Sequence, residues 1–226
     1  MAIADNVARV EEQIQSACAR AGRKRDDVTL IAVTKTVEPE IIRQGMDCGL
    51  THLAENRVQE LLRKYDALPG ADWHLIGHLQ SNKVKYILDK VSLIHSVDSL
   101  SLAREIGRQS ERLGKTTDIL MELNISGEQS KFGMAMQDMR ASLELLSQIP
   151  GIRVRGLMTM APLMASEREI RHIFSSLYKF SVDISHHSYD NVTMEYLSMG
   201  MSNDFPYAIE EGANLIRVGR ALFKNQ

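Results

Sequence analysis

The residue with the clearest chemical potential is Lys35, which follows the short apolar run Leu30-Ile31-Ala32-Val33-Thr34. A short β-branched run that is soon followed by Pro39 is typical of a buried strand. Side chains alternate along a strand, so Lys35 is expected to share a face with Ile31 and Val33. A desolvated lysine amine is more readily neutral and nucleophilic, which suits a Schiff base. The alternative is a lysine that only extends from the strand end into water.

Two loops near the end of the chain have the composition of an anion site. The first, residues 198–202, leaves a predicted strand and precedes a predicted helix. Its Gly200 permits close backbone approach, and Ser202 can cap the helix, whose free N–H groups attract anions. Gly219 offers a similar backbone one loop later, and these two loops form the usual phosphate site of α/β barrels. The alternatives are that Ser202 is only a helix cap and Gly219 only a packing glycine.

Arg217 shares its strand parity with Leu215, so its side chain is expected to point inward at the rim of the sheet. An inward arginine needs an acceptor, and a pyridine nitrogen, a phosphate or a carboxylate would serve. A structural ion pair with Glu195 or Asp204 is the alternative.

No metal site and no hydrolase or nucleotide-binding motif is expected. His74 and His78 are four residues apart, but they fall on a strand and its loop rather than on one helix face. The chain has no H-E-x-x-H, G-x-S-x-G or Walker A motif.

Composition limits the class of protein. The chain has 226 residues, a net charge of −2, 44% hydrophobic and 25% charged residues, which is unlike a nucleic-acid footprint or a basic membrane-binding face. Cys18 and Cys48 form no C-x-x-C motif and are expected to be small hydrophobes. The absence of a signal-peptide pattern and of long apolar runs predicts a soluble cytoplasmic protein.

The elements that position these residues alternate regularly. Strands are predicted at 28–35, 51–54, 73–77, 91–95, 118–124, 154–158, 193–197 and 215–218. Helices separate them, including 39–48, 81–89 and 203–211, and an extra helix at 5–21, capped by Asp5 and ended by Gly22, precedes them. This alternation predicts a single domain, 1–226, with the (β/α)8 TIM barrel fold. A Rossmann fold would need G-x-G-x-x-G where Lys35-Thr36-Val37 stands.

Four segments together resemble a known family. They are Ile31-Ala32-Val33-Thr34-Lys35, the run from Trp73 to Lys83, the run from Asn124 to Lys131, and the run from Leu197 to Asp204. In order and spacing, from about residue 28 to residue 223, they closely resemble the pyridoxal phosphate homeostasis protein family. Its members are small single-domain relatives of the alanine racemase barrel, which is pyridoxal 5′-phosphate (PLP) fold type III.

The resemblance implies a role for individual residues. Lys35 looks like the lysine that forms the internal aldimine with PLP, and Arg217 like the partner of the pyridine nitrogen. Asn56 matches an asparagine near the cofactor ring. The phosphate cradle would comprise Ser202, Gly219 and Arg220, the last two through backbone N–H groups, with a contribution from Ser198. Lys83 and Lys131 match loop lysines near the mouth.

The chain departs from the family pattern at two places. It has Ala54-Glu55-Asn56 where the family often has Gly-Glu-Asn, and Arg220 where a threonine or serine is common. The second departure makes a side-chain phosphate contact at Arg220 doubtful.

The resemblance also implies a kind of function. An arginine at the ring nitrogen makes the ring a weaker electron sink than an aspartate would. In alanine racemase, a second domain supplies a tyrosine base across a dimer interface, whereas this chain ends at Gln226. We therefore expect a monomeric, non-enzymatic PLP carrier that buffers or delivers the cofactor to PLP-dependent apoenzymes. A weak amino-acid racemase and a structural or signalling partner remain the alternatives.

Overall fold

Eight parallel strands close into a barrel in sequence order, as a computed structural model of residues 2–128 and 132–223 shows. The strands are β1 Thr29–Val33, β2 His52–Glu55, β3 Asp72–Leu75, β4 Leu93–Val97, β5 Thr117–Glu122, β6 Ile152–Met158, β7 Val192–Ser198 and β8 Leu215–Val218. Strand β1 pairs with both β2 and β8, which closes the ring. The predicted TIM barrel is confirmed.

Helices connect the strands on the outside. They are α1 Ile3–Arg20, α2 Pro39–Asp47, α3 Val58–Tyr65, α4 Leu100–Arg112, α5 Met136–Ser147, α6 Glu167–Ser185, α7 Phe205–Glu210 and α8 Arg220–Phe223. None of the described helices is both long and apolar enough to cross a bilayer.

Three local predictions need correction. Helix α1 begins two residues earlier than expected, and Asp5 accepts a hydrogen bond from the Ala2 N–H in its first turn instead of acting as the N-cap. The segment predicted as helix 81–89 is a 3-10 helix at Ser81–Tyr86. Ser81 and Asn82 favour turns over α-helix, and only Val84 in this segment is buried. Strand β1 ends at Val33, two residues before Lys35.

The barrel encloses a small apolar centre. It consists of one inward side chain from each of six strands: Ile31, Ala54, Leu93, Leu120, Met158 and Leu215. A larger apolar layer fills the space between the strands and the helices. Because side chains alternate, residues two positions before or after this central layer also point inward. Several of those residues are polar, and they give the two ends of the barrel their chemistry.

Candidate functional site

Lys35 lies in a tight turn at the C-terminal end of β1. The Val37 N–H donates to the Thr34 carbonyl (3.0 Å), and Thr36 has a φ of 63°. Such a φ is uncommon for a threonine and marks a constrained turn. The Lys35 side chain is exposed, so the prediction that it is desolvated within the strand is wrong. The reason is that the turn begins at Thr34, and the alternation of the strand therefore does not extend to Lys35.

A buried ion pair supports this turn. The Lys64 amine contacts Glu55 Oε1 (2.6 Å) and donates to the Thr34 carbonyl (2.9 Å), and both charged side chains are fully buried. The Thr34 hydroxyl donates to the same carboxylate oxygen (2.7 Å). Glu55, the last residue of β2, is therefore part of the support for the Lys35 turn.

Arg217 is the buried cation of the barrel mouth. Its side chain is almost fully enclosed, and its guanidinium donates to Ser198 Oγ (2.5 Å) and the Thr159 carbonyl (3.0 Å). Burial lowers its pKa to about 10, so it stays charged at neutral pH. The predicted inward orientation is confirmed by this burial and by the contact with Ser198.

The predicted alternative of an ion pair to Arg217 does not hold. Glu195 pairs with Arg155 on the outside of the barrel, and Asp204 Oδ1 accepts from the Met201 N–H (2.5 Å). Within residues 2–128 and 132–223, no carboxylate forms a salt bridge with Arg217. Its direct partners in that part of the chain are a neutral hydroxyl and a carbonyl, so its charge is available to a further acceptor.

Glu122 is a site residue that the sequence reading missed. It is the last residue of β5, two positions beyond the inward Leu120, and it is buried. Burial, with a smaller contribution from Asp98, raises its pKa to about 7, although Arg217 opposes the shift. Its parity with Leu120 was the signal that could have found it. The mouth therefore holds a permanent positive charge and a carboxyl group that titrates near neutral pH.

The β7–α7 and β8–α8 loops meet at Ser202. Its hydroxyl oxygen accepts from the N–H groups of Gly219 (3.3 Å) and Ala221 (3.4 Å). Both distances exceed the usual 2.9–3.0 Å for such bonds, so these bonds are weak. The prediction that Ser202 caps the helix at 203–211 is wrong, because α7 begins at Phe205 after Asp204.

The glycines of these loops serve protein packing. A Cβ on Gly200, where φ is 91°, would lie 2.5 Å from the Ala208 Cβ, so the close approach there is to α7. A Cβ on Gly219 would lie 3.0 Å from the Val33 carbonyl oxygen, which places Gly219 beside the end of β1. Arg220 opens α8 with an exposed side chain. The loop that would cradle an anion is thus adjacent to the strand that leads into Lys35.

Asn56 and the two loop lysines are less closely defined. Asn56 follows β2 and is half-buried, and its carbonyl oxygen would be 2.2 Å from a Cβ on Gly77, so the β3 loop packs directly on it. Lys83 is half-buried in the 3-10 helix. Lys131 lies outside the described residues.

A row of hydrogen-bonded side chains runs from the mouth through the barrel. His95 Nδ1 contacts Ser198 Oγ (2.8 Å), and His95 Nε2 contacts His74 Nδ1 (3.0 Å). His74 in turn contacts His52 near the N-terminal end. Burial lowers the pKa of His74 to about 4 and that of His95 well below its ordinary value, so both rings are neutral at neutral pH. The sequence reading missed this row, although His95 shares parity with the inward Leu93.

These features define what the mouth can hold. Ser198 and Arg217 meet directly, and so do Ser202 and the Gly219 N–H, whereas Lys35 is exposed on the neighbouring loop. A buried guanidinium without a carboxylate partner fits an electronegative ring atom, and weakly bonded N–H groups fit an anion. Together, the Arg217 guanidinium, the loop N–H groups and the Lys35 amine fit a small anionic heterocycle that can react with an amine.

Comparison with known proteins identifies relatives of the same size. The family model described as "Alanine racemase, N-terminal domain" matches residues 4–226. The chain is 43% identical over 221 residues to the pyridoxal phosphate homeostasis protein of Aquifex aeolicus, covering 97% of this chain and 96% of that protein. It is 38% identical over 224 residues to the protein of the same name from Pseudomonas aeruginosa, covering 98% and 94%.

Solved structures agree with this assignment. PipY of Synechococcus elongatus, solved with PLP bound, has a TM-score of 0.87 and 35% identity, covering 98% of this chain and 100% of that chain. An alanine racemase from Clostridium difficile has a TM-score of 0.75 at 16% identity, covering 98% of this chain and 57% of that chain. The second similarity concerns the fold only.

Proposed function

Because the chain belongs to the pyridoxal phosphate homeostasis protein family and has the alanine racemase N-terminal barrel, we propose that it binds PLP in the barrel mouth. Its role is to hold the cofactor and release it, and so to maintain PLP homeostasis. The proposed acceptors are PLP-dependent apoenzymes of the cytoplasm, and the proposed working unit is the monomer. Binding of PLP by PipY supports the choice of ligand.

The observation that carries this proposal is the state of Arg217. A guanidinium that is 3% exposed and bonded only to Ser198 and the Thr159 carbonyl, among the described residues, has donor capacity left for a ligand. In the proposed site it faces the pyridine nitrogen. A cation at that position disfavours protonation of the ring and so weakens the ring as an electron sink. Retention of PLP, rather than carbanion chemistry, is what this arrangement favours.

The remaining residues divide between the two ends of the ligand. Ser202 and the backbone N–H groups of Gly219 and Arg220 are proposed to bind the phosphate, with Ser198 nearby through its bond to Arg217. Asn56 is proposed to lie beside the ring. When bound, PLP supplies an aldehyde that condenses with an amine.

Lys35 is the proposed point of covalent attachment, as a Schiff base. The Thr34–Val37 turn that carries it follows Val33, whose carbonyl lies beside Gly219. Its exposure fits a reversible linkage, because an amine that supplants Lys35 must reach it from solvent. The proposal therefore assigns release to exchange with another amine, with no turnover of amino acids by this chain.

The test is borohydride reduction of the PLP-loaded protein. Wild type should show visible Schiff-base absorbance and retain covalent PLP after reduction, and Lys35→Ala should lose both. Lys24→Ala is a matched control, because Lys24 is exposed at the opposite end of β1. Equal trapping in Lys35→Ala and wild type would refute the attachment site, and no PLP binding by wild type would refute the proposed function.

A racemase assay separates a carrier from an enzyme. Loaded protein should interconvert D- and L-amino acids no faster than free PLP at the same concentration. Racemisation that is faster than free PLP and is lost in Lys35→Ala would contradict the carrier role.

A further inference from the structure

A second site lies at the other end of the barrel, where β2 and β3 begin. His52 and Asp72 are directly paired in the register of the two strands, and His74 follows on the same face as Asp72. All three side chains point into the barrel, because His52 shares parity with the inward Ala54, the register partner of His74; His52 and Asp72 lie at the N-terminal opening and His74 one layer deeper. This group lies toward the opposite end of the barrel from Lys35 and Arg217.

Three potential ligand atoms converge in this group. His52 Nδ1 is 2.9 Å from Asp72 Oδ2 and 3.2 Å from His74 Nε2, and the third edge, His74 Nε2 to Asp72 Oδ2, is 3.8 Å. We propose that His52, Asp72 and His74 form a binding site for a zinc-class divalent cation. The site does not depend on the proposed PLP function.

The size of the triangle favours tetrahedral coordination. Zinc bonds of about 2.0–2.1 Å to nitrogen and oxygen place tetrahedral ligand atoms about 3.3–3.4 Å apart. The three edges of 2.9, 3.2 and 3.8 Å average about 3.3 Å. Octahedral coordination with bonds of about 2.1 Å would need edges of about 3.0 Å, well below the longest edge here. Two imidazoles and one carboxylate are also a common zinc ligand set.

The surroundings supply an oriented ligand and an open position. His74 Nδ1, the nitrogen away from the triangle, is 3.0 Å from His95 Nε2, and His95 Nδ1 is 2.8 Å from Ser198 Oγ. A metal on His74 Nε2 would place the His74 proton on Nδ1, which then donates to His95; such outer partners orient metal-bound histidines. The side chains of His52 and Asp72 are 35% and 39% exposed, so solvent can reach a fourth coordination position.

In the sequence, the spacing of His74 and His78 gave no indication of this site. His78 lies near the mouth, where it contacts Asp98 (3.0 Å), whereas His74 lies deeper in the barrel, level with Ala54 and Leu93. The actual partners of His74 come from the start of its own strand and from the neighbouring strand. No helical spacing connects them.

The test is zinc uptake by the tag-free chain. Every protein should carry Cys48→Ser, since the exposed Cys48 thiol could bind zinc on its own. After equilibrium dialysis against Zn²⁺, the parent should retain one zinc per chain and show a higher Tm. Asp72→Asn and His52→Gln should each weaken zinc binding by at least about tenfold. Both positions are half-exposed, so the variants should fold, and circular dichroism checks this.

His78→Gln is the matched control, because His78 and Asp98 form a histidine–carboxylate pair without a third ligand in the described residues. It should bind zinc as the parent does. No zinc bound by the parent, or equal binding by the parent and both ligand variants, would reduce the group to a hydrogen-bonded cluster and overturn the proposal. Equal loss in His78→Gln would also overturn it, because the uptake would then not be specific to the triangle.

Discussion

The charge state of the barrel mouth depends on two residues, Arg217 and Glu122. Burial shifts both pKa values toward the neutral form, to about 10 for Arg217 and about 7 for Glu122. Only Glu122 therefore changes its charge within the physiological range. The net charge offered to an anionic ligand should fall as Glu122 ionises, so ligand retention should weaken above neutral pH.

The same carboxyl group should make stability depend on pH. Its folded-state pKa of about 7 lies above the ordinary 4.5, so the folded state binds more protons between these values. The contribution of Glu122 to the free energy of unfolding should therefore fall as the pH rises from about 4.5 to 7 and then level off, whereas His74 and His95, whose pKa values burial lowers, contribute the opposite slope. Arg217 and Asp98 are the charged groups that act on Glu122, and Arg217, with a pKa of about 10, stays charged throughout this range.

Glu122→Gln should remove this dependence. At pH 8 the variant should be more stable than wild type by up to about 3 kcal/mol, and the difference should disappear near pH 4.5. Urea unfolding at pH 5 and pH 8 measures it, with Glu12→Gln on the exposed face of α1 as the control. If the free energy of unfolding changed with pH in the same way for Glu122→Gln and wild type, the raised pKa of Glu122 would be contradicted.

At the scale of single residues, the sequence predicts which way a side chain points better than which groups surround it. Strand parity correctly places Arg217 inside the barrel, because parity is a local property of the backbone. It could not predict that Ser198 and Thr159 would be the acceptors, since these lie at the ends of two other strands, Ser198 as the last residue of β7 and Thr159 directly after β6. For Lys35, strand parity gives the wrong orientation. Strand β1 ends at Val33, before Lys35, so the alternation does not apply and the side chain is exposed.

At the scale of elements, the main feature is the attachment of α3 to the β1 turn. Lys64 on α3 reaches both Glu55 at the end of β2 and the Thr34 carbonyl. Glu55 Oε2 has no hydrogen-bond partner and is buried, so this carboxylate relies on Lys64 and Thr34. The end of β1, the end of β2 and helix α3 are thereby joined beside the loop that presents Lys35.

Removal of one partner of the Glu55–Lys64 pair should strongly lower the free energy of unfolding. Lys64→Met leaves the Glu55 charge buried without its cation and should lower the free energy of unfolding by about 3–5 kcal/mol. The double variant Lys64→Met/Glu55→Leu should recover most of this loss, because no charge then remains buried. Denaturant unfolding measures both, and Lys85→Met, on an exposed lysine, is the control. A double variant as unstable as Lys64→Met would contradict the explanation.

The order of strands and helices was predictable, because the spacing of apolar residues along the chain differs between the two. Ser166 and Glu169, for example, have the spacing of a capping box in the sequence, and in the structure they form one at the start of α6. The Glu55–Lys64 pair was not predictable, because the two residues belong to a strand and a helix whose packing angle the sequence does not state.

At the scale of the whole molecule, the barrel has two chemically distinct ends joined by buried polar groups. His95 on β4 contacts Ser198 on β7, and His74 on β3 contacts His95. The strand–helix alternation predicts the closed barrel but not which inward residues meet across its centre. Those contacts depend on the tilt and stagger of the strands, which are properties of the closed ring.

Closure of the ring also depends on α1, which packs against α7 and α8 beside the β1–β8 seam. The buried Asn6 amide donates to the Leu222 carbonyl at the end of α8 (3.0 Å), and Arg23 donates to the Ala213 carbonyl before β8 (2.6 Å). The first element of the chain thus holds the last ones in place. A defect in this contact should destabilise the entire barrel and not only its terminus.

Asn6→Ala tests this directly. It removes the bond to Leu222 and leaves that carbonyl buried without the amide, which should cost about 1–3 kcal/mol. If α1 is part of one cooperative unit, the midpoint of urea unfolding should fall while the slope stays unchanged, and fluorescence of Trp73 on β3 should report the same transition as circular dichroism. Glu12→Ala, on the exposed side of α1, should leave the midpoint unchanged. An earlier, separate loss of helical signal in Asn6→Ala would show instead that α1 detaches from a barrel that remains closed without it.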